Sequence, residues 1–572
     1  MDYQKLQFAY RHSPDQDAAQ PPRHPVVVVG AGPIGLALAI DLAQQGVPVV
    51  LLDNDDRLST GSRAICFSKR TLEIFDRLGC GDRMADKGVS WNLGKVFFRD
   101  RQVYSFDLLP EAGHGRPAFV NLQQYYVEGY LAERAAALPL IDLRWKNAVT
   151  ALERHPDYVR LTVETPEGSY RIDAGYVAAC DGTRSMLRRL IGQESKGRVF
   201  RDRFLIADIR MKPEESPMTL EAERWFWFDP PFHRNQSVLL HMQPDDVWRI
   251  DFQLGWDADP EVERRPENIV PRVRALLGQD ARFELEWASV YTFACLRMEA
   301  FRHGRILFAG DSAHGVSPFG ARGANSGIQD AENLAWKLAY LLQGRAGNAL
   351  LDTYGAEREY AADENLLNST RSTDFITPKS EISRLFRDAT LDLAREHPFA
   401  RALVNSGRLS LPTVLHGSPL NTPDVDPFAS SLVPGAVAAD APITVDGRTS
   451  WLLRELPGGM FSALVFDGPE AAAQVRDLHA AADDLAPLRV LRVAAPGTAP
   501  IEGARTIGDA EGLVTARYDG QPGTVILLRP DQHLCARWRA PVPQALRAAL
   551  RHALALDRGP GEGSRGDRLW TI

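Results

Sequence analysis

Two glycine-rich segments and one acidic loop hold the residue types and spacing that could do chemistry. In the first segment, Gly30, Gly32 and Gly35 follow a run of four valines and open an apolar helical stretch. Glycines placed in this way let backbone N–H groups approach a pyrophosphate, and the positive end of the helix dipole favours the anion. Asp53 ends the next predicted strand, where a carboxylate can accept hydrogen bonds from a ribose diol. This spacing predicts a dinucleotide-binding turn.

The acidic loop has the sequence CDGTRS at residues 180–185, between a predicted strand and a predicted helix. Asp181 and Arg184 are its charged residues. An acid and hydroxyls at the end of a strand also commonly cap the helix that follows. Taken alone, the loop therefore does not distinguish a ligand contact from a helix cap.

The second glycine-rich segment spans residues 310–327 and follows the strand-like stretch RILFAGD. Asp311 can bind a sugar or ribityl hydroxyl at the end of that strand. The loop from Pro318 brings bare backbone to the start of a helix near Asn325, which would stabilise negative charge on a bound ring. His314 could act as a base, but in this setting a hydrogen-bonded structural histidine is the more typical role.

The elements that must position these residues form an α/β pattern. Val26–Val29, a helix over residues 33–45 and a strand over residues 47–52 make a complete βαβ unit. Aromatic-rich alternation then predicts an antiparallel sheet. The predicted organisation is an N-terminal arm (1–24), a nucleotide-binding domain (25–199), the aromatic sheet (200–287), the completion of the nucleotide domain with helices (288–410), a linker (411–445) and a small α/β domain (446–572).

Composition excludes several other classes of protein. The chain has 572 residues and a formal charge of −8, which gives no general attraction to nucleic acid or to an anionic membrane. The five cysteines are far apart in sequence, so neither a disulfide framework nor a CxxC metal site is expected. The longest apolar stretch, residues 25–40, contains glycines and ends at an aspartate. We expect a cytoplasmic protein without a membrane span or a metal.

The three motifs together, GAGPIG, DGTRS and GDSAH with PFGARGANSGIQDAENLAWKL, resemble the class A flavoprotein monooxygenases, the para-hydroxybenzoate hydroxylase and phenol hydroxylase group. The resemblance implies a Rossmann-like FAD-binding domain with an inserted antiparallel β-sheet substrate domain. The segment YDGQPGTVILLRPDQHLCARW, residues 518–538, resembles the thioredoxin-like C-terminal domain of the larger members.

The resemblance also implies roles for individual residues around FAD. The pyrophosphate would be bound at Gly30, Gly32 and Gly35, and the ribose at Asp53. The remaining FAD contacts that it implies are Arg63 and Gln124 near the phosphate and ribityl chain, Asp181 and Arg184 in a motif associated with FAD and NAD(P)H, Asp311 at the ribityl or pyrophosphate, and Pro318, Gly323, Ala324 and Asn325 around the catalytic isoalloxazine. No second dinucleotide-binding unit is visible, so NAD(P)H is expected to bind only transiently.

The implied reaction is reduction of FAD by NAD(P)H, addition of O2 to give a flavin C4a-hydroperoxide, and hydroxylation of an aromatic ring. A phenolic or carboxylated aromatic compound, such as a hydroxyphenylpropionate-like acid, is the expected substrate. The alternatives are a large polycyclic or polyketide substrate, a flavin-binding module without catalysis, and a plain NAD(P)-dependent dehydrogenase. A homodimer is compatible with the resemblance.

A dry aromatic pocket is what such an enzyme needs. We expect its walls to come from the aromatic sheet, including Phe226, Trp248 and Phe252. The pocket residues that we predict are Cys66, Trp225, Trp227, His241 and Tyr291. Phenol hydroxylase-like members often place an acid just after an Arg-Ala pair, but here Ile65 and Cys66 follow Arg63 and Ala64. The candidates for activating the phenol are therefore Tyr291, Arg297, His241 and Arg249.

Overall fold

The computed structural model describes residues 3–59, 61, 64–212, 221–405 and 409–557. Its first elements are β1 (Arg23–Val29), α1 (Pro33–Gln44), β2 (Val49–Leu52), β3 (Cys66–Ser68), α2 (Lys69–Leu78), α3 (Gly81–Lys87), β4 (Val89–Trp91), β5 (Leu93–Phe98), β6 (Arg101–Asp107), β7 (Phe119–Asn121), α4 (Gln124–Ala136), β8 (Ile141–Arg144), β9 (Ala148–Arg154), β10 (Val159–Thr165), β11 (Gly168–Ala179) and α5 (Met186–Leu190).

The middle of the chain adds β12 (Ser195–Met211), β13 (Arg224–Phe228), β14 (Ser237–Met242), β15 (Val247–Leu254), α6 (Pro260–Glu263), α7 (Pro266–Leu277), β16 (Phe283–Met298), β17 (Arg302–His303), β18 (Ile306–Phe308), β19 (His314–Gly315), α8 (Gly323–Leu342), α9 (Asn348–Ile376), α10 (Glu381–Ala394) and α11 (Pro398–Arg401). The last part adds β20 (Pro442–Val445), β21 (Arg448–Trp451), β22 (Phe461–Phe466), α12 (Ala471–Ala482), β23 (Leu488–Ala494), β24 (Arg505–Gly508), α13 (Leu513–Tyr518), β25 (Val525–Leu528), β26 (Leu534–Trp538) and α14 (Pro543–Ala553).

The first sheet contains the predicted βαβ unit. Its main order is β17-β18-β11-β1-β2-β8, and β9 and β10 extend it from β11. β1 pairs in parallel with β2 and β11, so the valines of β1 are buried on both faces. Helices α1, α4 and α8 pack around this sheet. The carboxyl ends of β1, β2, β11 and β18 therefore lie side by side.

The second sheet has eight strands in the order β19-β16-β12-β15-β14-β13-β5-β6. It extends beyond the predicted boundaries of 200–287, because β5 and β6 come from the segment that we assigned to the nucleotide-binding domain. The parallel pairing of β5 with β13 joins segments that are distant in sequence, and local periodicity does not reveal such pairing. The chain thus crosses between the first two sheets more than once.

The third sheet is built by the C-terminal part of the chain, in the order β21-β20-β24-β23-β22-β25-β26. β22 pairs in parallel with β23 and antiparallel with β25, and α12 and α14 pack beside it. The predicted linker, residues 411–445, has few regular elements and reaches the sheet through backbone bonds such as Thr422 N to Cys535 O. The thioredoxin-like assignment stays a prediction.

A buried ionic network joins this C-terminal domain to the first domain. Arg529 donates to Glu357 on α9 at 2.5 Å and to Asp531 at 2.5 Å. Lys337 on α8 donates to Glu357 at 2.7 Å, and Arg70 on α2 donates to the backbone oxygen of Asp531 at 2.9 Å. All these side chains are buried. The C-terminal domain therefore supplies charges that neutralise groups inside its neighbour.

Within the described residues, no helix is both long enough and apolar enough to cross a membrane.

Candidate active site

The glycine turn between β1 and α1 is shaped by close backbone contacts. Gly30 has a φ of +104°, and a Cβ there would overlap the Cys180 carbonyl oxygen. A Cβ on Gly35 would overlap the Gly30 carbonyl oxygen. At Gly32, by contrast, a Cβ would meet none of the described residues within 4 Å. The turn is therefore closed beneath the helix and open above its N-terminus, which fits a pyrophosphate.

Asp53 lies at the carboxyl end of β2 and turns towards this glycine loop. Its carboxylate accepts hydrogen bonds from the backbone N–H of Ala31 at 2.5 Å and of Asp55 at 2.8 Å. Burial raises the pKa of Asp53, and these two backbone donors oppose the rise. A cavity of about 390 Å³ opens beyond it and is bordered by Asp55, Lys146 and Thr165. The position suits a ribose whose remaining nucleotide extends into that cavity.

A hydrogen-bonded network holds the loop after β2. The buried carboxylate of Glu128 accepts from the Ser59 N–H and hydroxyl, each at 2.7 Å, and from Gln124 Nε2 at 2.7 Å. Gln124 Oε1 accepts from the Ala64 N–H at 3.0 Å. Gln124 thus anchors the loop in which Arg63 lies, although Arg63 itself is outside the described residues. No sequence motif marks Glu128 or Ser59, so neither residue was predicted.

The acidic loop and the second glycine-rich segment meet beside the glycine turn. Asp181 accepts a hydrogen bond from the Leu187 N–H at 2.9 Å, as a helix cap does, while its Oδ1 is buried without a partner among the described residues. Thr183 donates to Asp311 at 3.2 Å. Arg184 is exposed. Asp181 and Asp311 are thus brought together near the turn, and Arg184 points to the surface.

His314 has a structural setting. Its Nε2 lies 2.6 Å from Asp330 Oδ2, and its ring stacks on Phe301. Asp330 also accepts from the Gly310 N–H at 2.9 Å and from Arg358 Nε at 2.7 Å. His314 therefore ties the loop to α8, as we expected for a hydrogen-bonded structural histidine.

The N-terminus of α8 is bound to β3 through Asn325. Asn325 accepts from the Ser68 N–H at 2.9 Å and donates to the Cys66 carbonyl at 2.9 Å. No hydrogen bond from a described side chain caps this helix, and Gly323 and Ala324 keep partial exposure in its first turn. Pro318 is exposed at the start of the preceding loop. The uncapped end is suited to an anionic ring edge.

The N-termini of α1 and α8 converge. A Cβ on Gly327 of α8 would lie 2.7 Å from Ile34 Cγ1 of α1, so the two helices touch near their first turns. The glycine turn, Asp53 and the start of α8 therefore line one continuous path. The residues along this path fit FAD, because the glycine turn at α1 suits a pyrophosphate and the uncapped start of α8 suits the edge of a flavin ring.

One face of the second sheet looks towards this path, and we call it the inner face. Arg224, His241, Arg249 and Asp208 are directly opposite one another on β13, β14, β15 and β12, so their side chains share this face. His241 Nδ1 lies 4.0 Å from Cys66 Sγ on β3. Arg249 donates to Asp208 at 2.9 Å. A buried row of basic side chains thus lies next to the residue that Asn325 contacts.

Trp225 and Trp227 require a correction. They alternate with Arg224 and Phe226 on β13 and therefore lie on the opposite face, away from Cys66. There they pack with Phe97, and the same cluster includes Val273 of α7. Helix α7 covers that outer face, which is apolar. The aromatic residues of the outer face are core, and so are Trp248 and Phe252.

The other predicted pocket residues lie at different depths. Cys66 is buried beside His241, which is part of the basic row. Tyr291 shares the inner face but is 39% exposed, and it is opposite Phe204, two rows away from Arg249. Arg297 forms an ion pair with Asp363 at the surface. Of the four candidates for activating a phenol, His241 and Arg249 lie closest to Cys66.

Electrostatics narrows the choice further. Burial lowers the pKa of His241 well below its usual range, and the positive charges of Arg224 and Arg249 lower it further. Burial raises the pKa of the Cys66 thiol to about 12. Both groups are therefore neutral at physiological pH, and neither is a strong base in this pocket.

Three charged residues of the inner face, Arg224, Asp208 and Asp251, were not predicted from the sequence. Burial raises the pKa of Asp251 to about 6, and it is the partly accessible residue within Val247–Leu254, a strand that is described in full. The signal was present, because Arg249, Asp251 and Gln253 alternate along an otherwise apolar strand. Polar residues at alternate positions of a strand lie on the same face. On an otherwise buried strand, such a polar face indicates a neighbouring site.

A family model matches most of the chain. The model describes an FAD binding domain and covers residues 23–369. This range includes the glycine turn, the acidic loop and the start of α8.

Curated relatives match nearly the full length. A 3-(3-hydroxy-phenyl)propionate/3-hydroxycinnamic acid hydroxylase of Mycobacterium sp. (strain JLS) is 30% identical over 554 residues, which is 95% of this chain and 94% of the relative. A 6-methylpretetramide 4-monooxygenase of Streptomyces rimosus is 29% identical over 574 residues, which is 97% of each chain.

Solved structures share the fold. The flavin-dependent monooxygenase PieE, in complex with FAD and substrate, has a TM-score of 0.76 at 20% identity, over 93% of this chain and 100% of that one. The resemblance seen in the three motifs is thus confirmed over nearly the whole chain. The chain belongs to the FAD-dependent aromatic hydroxylases, enzymes that use FAD and a nicotinamide reductant.

Proposed function

We propose that this enzyme hydroxylates a phenolic ring that carries a carboxylate side chain, as in a hydroxyphenylpropionate-like acid. The observation that carries the proposal is the row of Arg224, His241 and Arg249 on the inner face, beside Cys66. Buried guanidinium groups recognise carboxylates through charge-assisted hydrogen bonds. The relative from Mycobacterium sp. is named for substrates of this chemistry.

The charge balance of the pocket supports an anionic ligand. Arg249 is paired with Asp208, and Asp251 is the second carboxyl near the row. Burial lowers the pKa of Arg224 to about 10, but a guanidinium stays protonated at physiological pH. A substrate carboxylate at this row would form charge-assisted hydrogen bonds with the guanidinium groups.

The described residues also provide an apolar enclosure. Phe226, Leu239 and Ile206 share the inner face with the basic row and are buried. FAD, reduced by NAD(P)H, supplies the oxygenating chemistry when it is bound, and O2 is the oxygen donor that we propose. The task of the protein is to orient the ring and exclude water, because water in such a site diverts the oxygen into hydrogen peroxide.

The proposal is tested with purified enzyme, FAD and NAD(P)H. We expect a hydroxyphenylpropionate-like acid to give hydroxylated product in proportion to NAD(P)H consumed. The matching amide removes only the negative charge, and we expect KM to rise about 10-fold to 100-fold, the value of one or two charge-assisted hydrogen bonds. If both compounds react equally well, or if only a polycyclic phenol gives product, the carboxylate assignment is wrong.

We also propose that the enzyme works in the cytoplasm. All five cysteines lie in the described part of the chain and are free, as is usual in a reducing compartment. Fractionation of cells that express the chain, followed by immunoblotting, tests this location.

We further propose a homodimer formed through the exposed apolar face of α10 and α11. The exposed residues of this face are Ile382, Leu385, Phe386, Leu393, Phe399 and Leu403. The charged residues around them have both signs, including Arg384, Asp388, Asp392 and Arg395, which suits self-complementary contact between two copies. Light scattering should give twice the monomer mass, and a monomer at micromolar concentration would refute the proposal.

A further inference from the structure

Asp251 lies on the inner face, one row away from the basic residues. Its neighbours in register are Leu239 on β14 and Ile206 on β12, both apolar. Arg249 precedes it by two residues on the same strand, about 7 Å along the chain. Asp251 keeps accessible surface while the other residues of Val247–Leu254 are buried. The register and this partial exposure place Asp251 at an incompletely closed part of the inner face.

One oxygen of this carboxyl has no hydrogen-bond donor in the described part of the chain. Asp251 Oδ1 is buried without a partner among the described residues. Asp208, on the same face, is the contrasting case, because its carboxylate accepts from Arg249 at 2.9 Å. Leaving a buried acceptor unpaired costs about 1–3 kcal/mol. A ligand hydroxyl entering the pocket would supply the missing donor.

The surrounding charges keep Asp251 available as a base. The titratable and charged groups that face it or its neighbours are Arg249 on β15, Arg224 on β13, His241 on β14, Asp208 on β12, Cys66 on β3 and Tyr104 on β6. Burial and the negative charge of Asp208 raise the pKa of Asp251, and Arg249 and Arg224 lower it. The resulting value of about 6 leaves the carboxyl ionised above that pH, in the range that suits a general base near neutrality.

We propose that Asp251 accepts the proton of the substrate's phenolic hydroxyl. It would replace the acid that phenol hydroxylase-like members often have just after an Arg-Ala pair, where this chain has Ile65 and Cys66. The inference rests on the proposed function, in which the substrate is a phenol. The O–H bond of the phenol breaks, the proton moves to the Asp251 carboxylate, and the electron pair stays on the phenolate oxygen. From there it increases the electron density of the ring carbon that receives oxygen. After oxygen transfer, the hydroxylated ring carbon loses its hydrogen as a proton to water, the C–H electron pair restores the aromatic ring, and Asp251 returns its proton to the original phenolic oxygen.

The test uses the holoenzyme and phenols of graded acidity, such as a hydroxyphenylpropionate-like acid and its ring-fluorinated analogues. For Asp251→Asn, we expect the hydroxylation rate on the parent phenol to fall about 100-fold to 10,000-fold, the usual range for loss of a general base. The deficit should shrink as the phenol becomes more acidic, since an ionised phenol needs no base. A purely structural role would give the same loss for every phenol.

The pH profile provides a second readout. The wild type should lose activity as the pH falls through about 6. Asp251→Asn should lack this step. Its hydroxylation rate should instead increase with pH until the pH reaches the pKa of a free phenol, near 10. Asp208→Asn removes a negative neighbour that raises the pKa of Asp251, so the acid step should move to lower pH.

These outcomes separate the two proposals. If the wild type forms no hydroxylated product from any phenol of the series, the proposed function is wrong. If the wild type reacts and flavin-loaded Asp251→Asn keeps its rate, or loses the same factor for every phenol, the role of Asp251 is refuted. If Asp251→Asn does not retain FAD, the acid step of Asp208→Asn decides, and an unshifted step refutes the role.

Discussion

Replacing Arg529 by methionine should destabilise the enzyme far more than a typical surface change. The guanidinium is fully buried and contacts both carboxylate oxygens of Glu357, at 2.5 and 3.1 Å, and both of Asp531, at 3.0 and 2.5 Å. Arg529→Met leaves these two carboxylates buried, and Lys337 and His533 are then their only basic partners among the described residues. The other donors to them are neutral, from Asn333, Trp336 and Ser418. Removing one partner of a buried ion pair costs about 3–5 kcal/mol.

The matched control is Arg547→Met. Arg547 belongs to the same domain and pairs with Asp484 at 2.7 Å, but both side chains are exposed. An exposed ion pair contributes about 0–1 kcal/mol. The two variants therefore remove the same side chain and differ in burial and in the number of carboxylates contacted.

The assay is urea unfolding of the holoenzyme, followed by tryptophan fluorescence and by release of flavin. With a slope of about 3 kcal/mol per molar urea, Arg529→Met should lower the midpoint by about 1–2 M, and Arg547→Met by less than about 0.4 M. Flavin release should shift with the tryptophan signal, because α8 carries both Lys337 and Asn325. Equal shifts in the two variants would refute the reasoning.

The same experiment has a pH dependence with a definite sign. Arg529 and Lys337 hold the pKa of Glu357 well below its usual range. A carboxyl with a lowered folded-state pKa contributes stability above its unfolded pKa, near 4.3, and this stability is lost as the pH falls below that value. In Arg529→Met the buried carboxyls favour protonation instead. The stability difference between the wild type and the variant should therefore narrow on acidification.

Three further changes separate cofactor binding, packing and chemistry. Gly35→Ala places a methyl group against the Gly30 carbonyl oxygen, so we expect protein without flavin absorbance, and a fully yellow variant would contradict the turn geometry. Trp227→Leu should lower the free energy of unfolding by about 1–3 kcal/mol and leave kcat/KM nearly unchanged, whereas a large loss of kcat/KM would place Trp227 in the pocket. His314→Leu, which removes the hydrogen bond to Asp330, should lower the free energy of unfolding by about 1–3 kcal/mol and leave the pH profile of hydroxylation unchanged, whereas a shifted profile would make His314 a participant.

Local sequence was sufficient for the parts of the site that depend on one turn and its helix. The glycine turn and the start of α8 are stretches of a few residues in which backbone contacts, such as that of Gly30 with Cys180, require glycine. Such requirements can be recognised before any fold is known. The order of the three motifs then identifies the family.

The faces of the second sheet could not be assigned in the same way. Alternation separates Trp225 and Trp227 from Arg224 and Phe226, but both sets are largely buried, because α7 covers one face and the loop with Phe319 and helices α9 and α10 cover part of the other. The informative pattern was the spacing of Arg249 and Asp251, two charged residues at alternate positions of an apolar strand, which indicates the face that borders the site. The addition of β5 and β6 to that sheet depends on contacts between distant segments, which periodicity does not contain.

The position of Arg529 has a consequence for biosynthesis. Glu357 and Arg529 are separated by 172 residues, and chains are made from the N-terminus at a finite rate. Until that arginine leaves the ribosome, the growing chain has a carboxylate in the centre of its first domain without its main counter-charge. The enzyme should therefore become able to hold its flavin only when translation is nearly complete. Chains that terminate prematurely in the last domain should then bind no flavin and release no hydrogen peroxide.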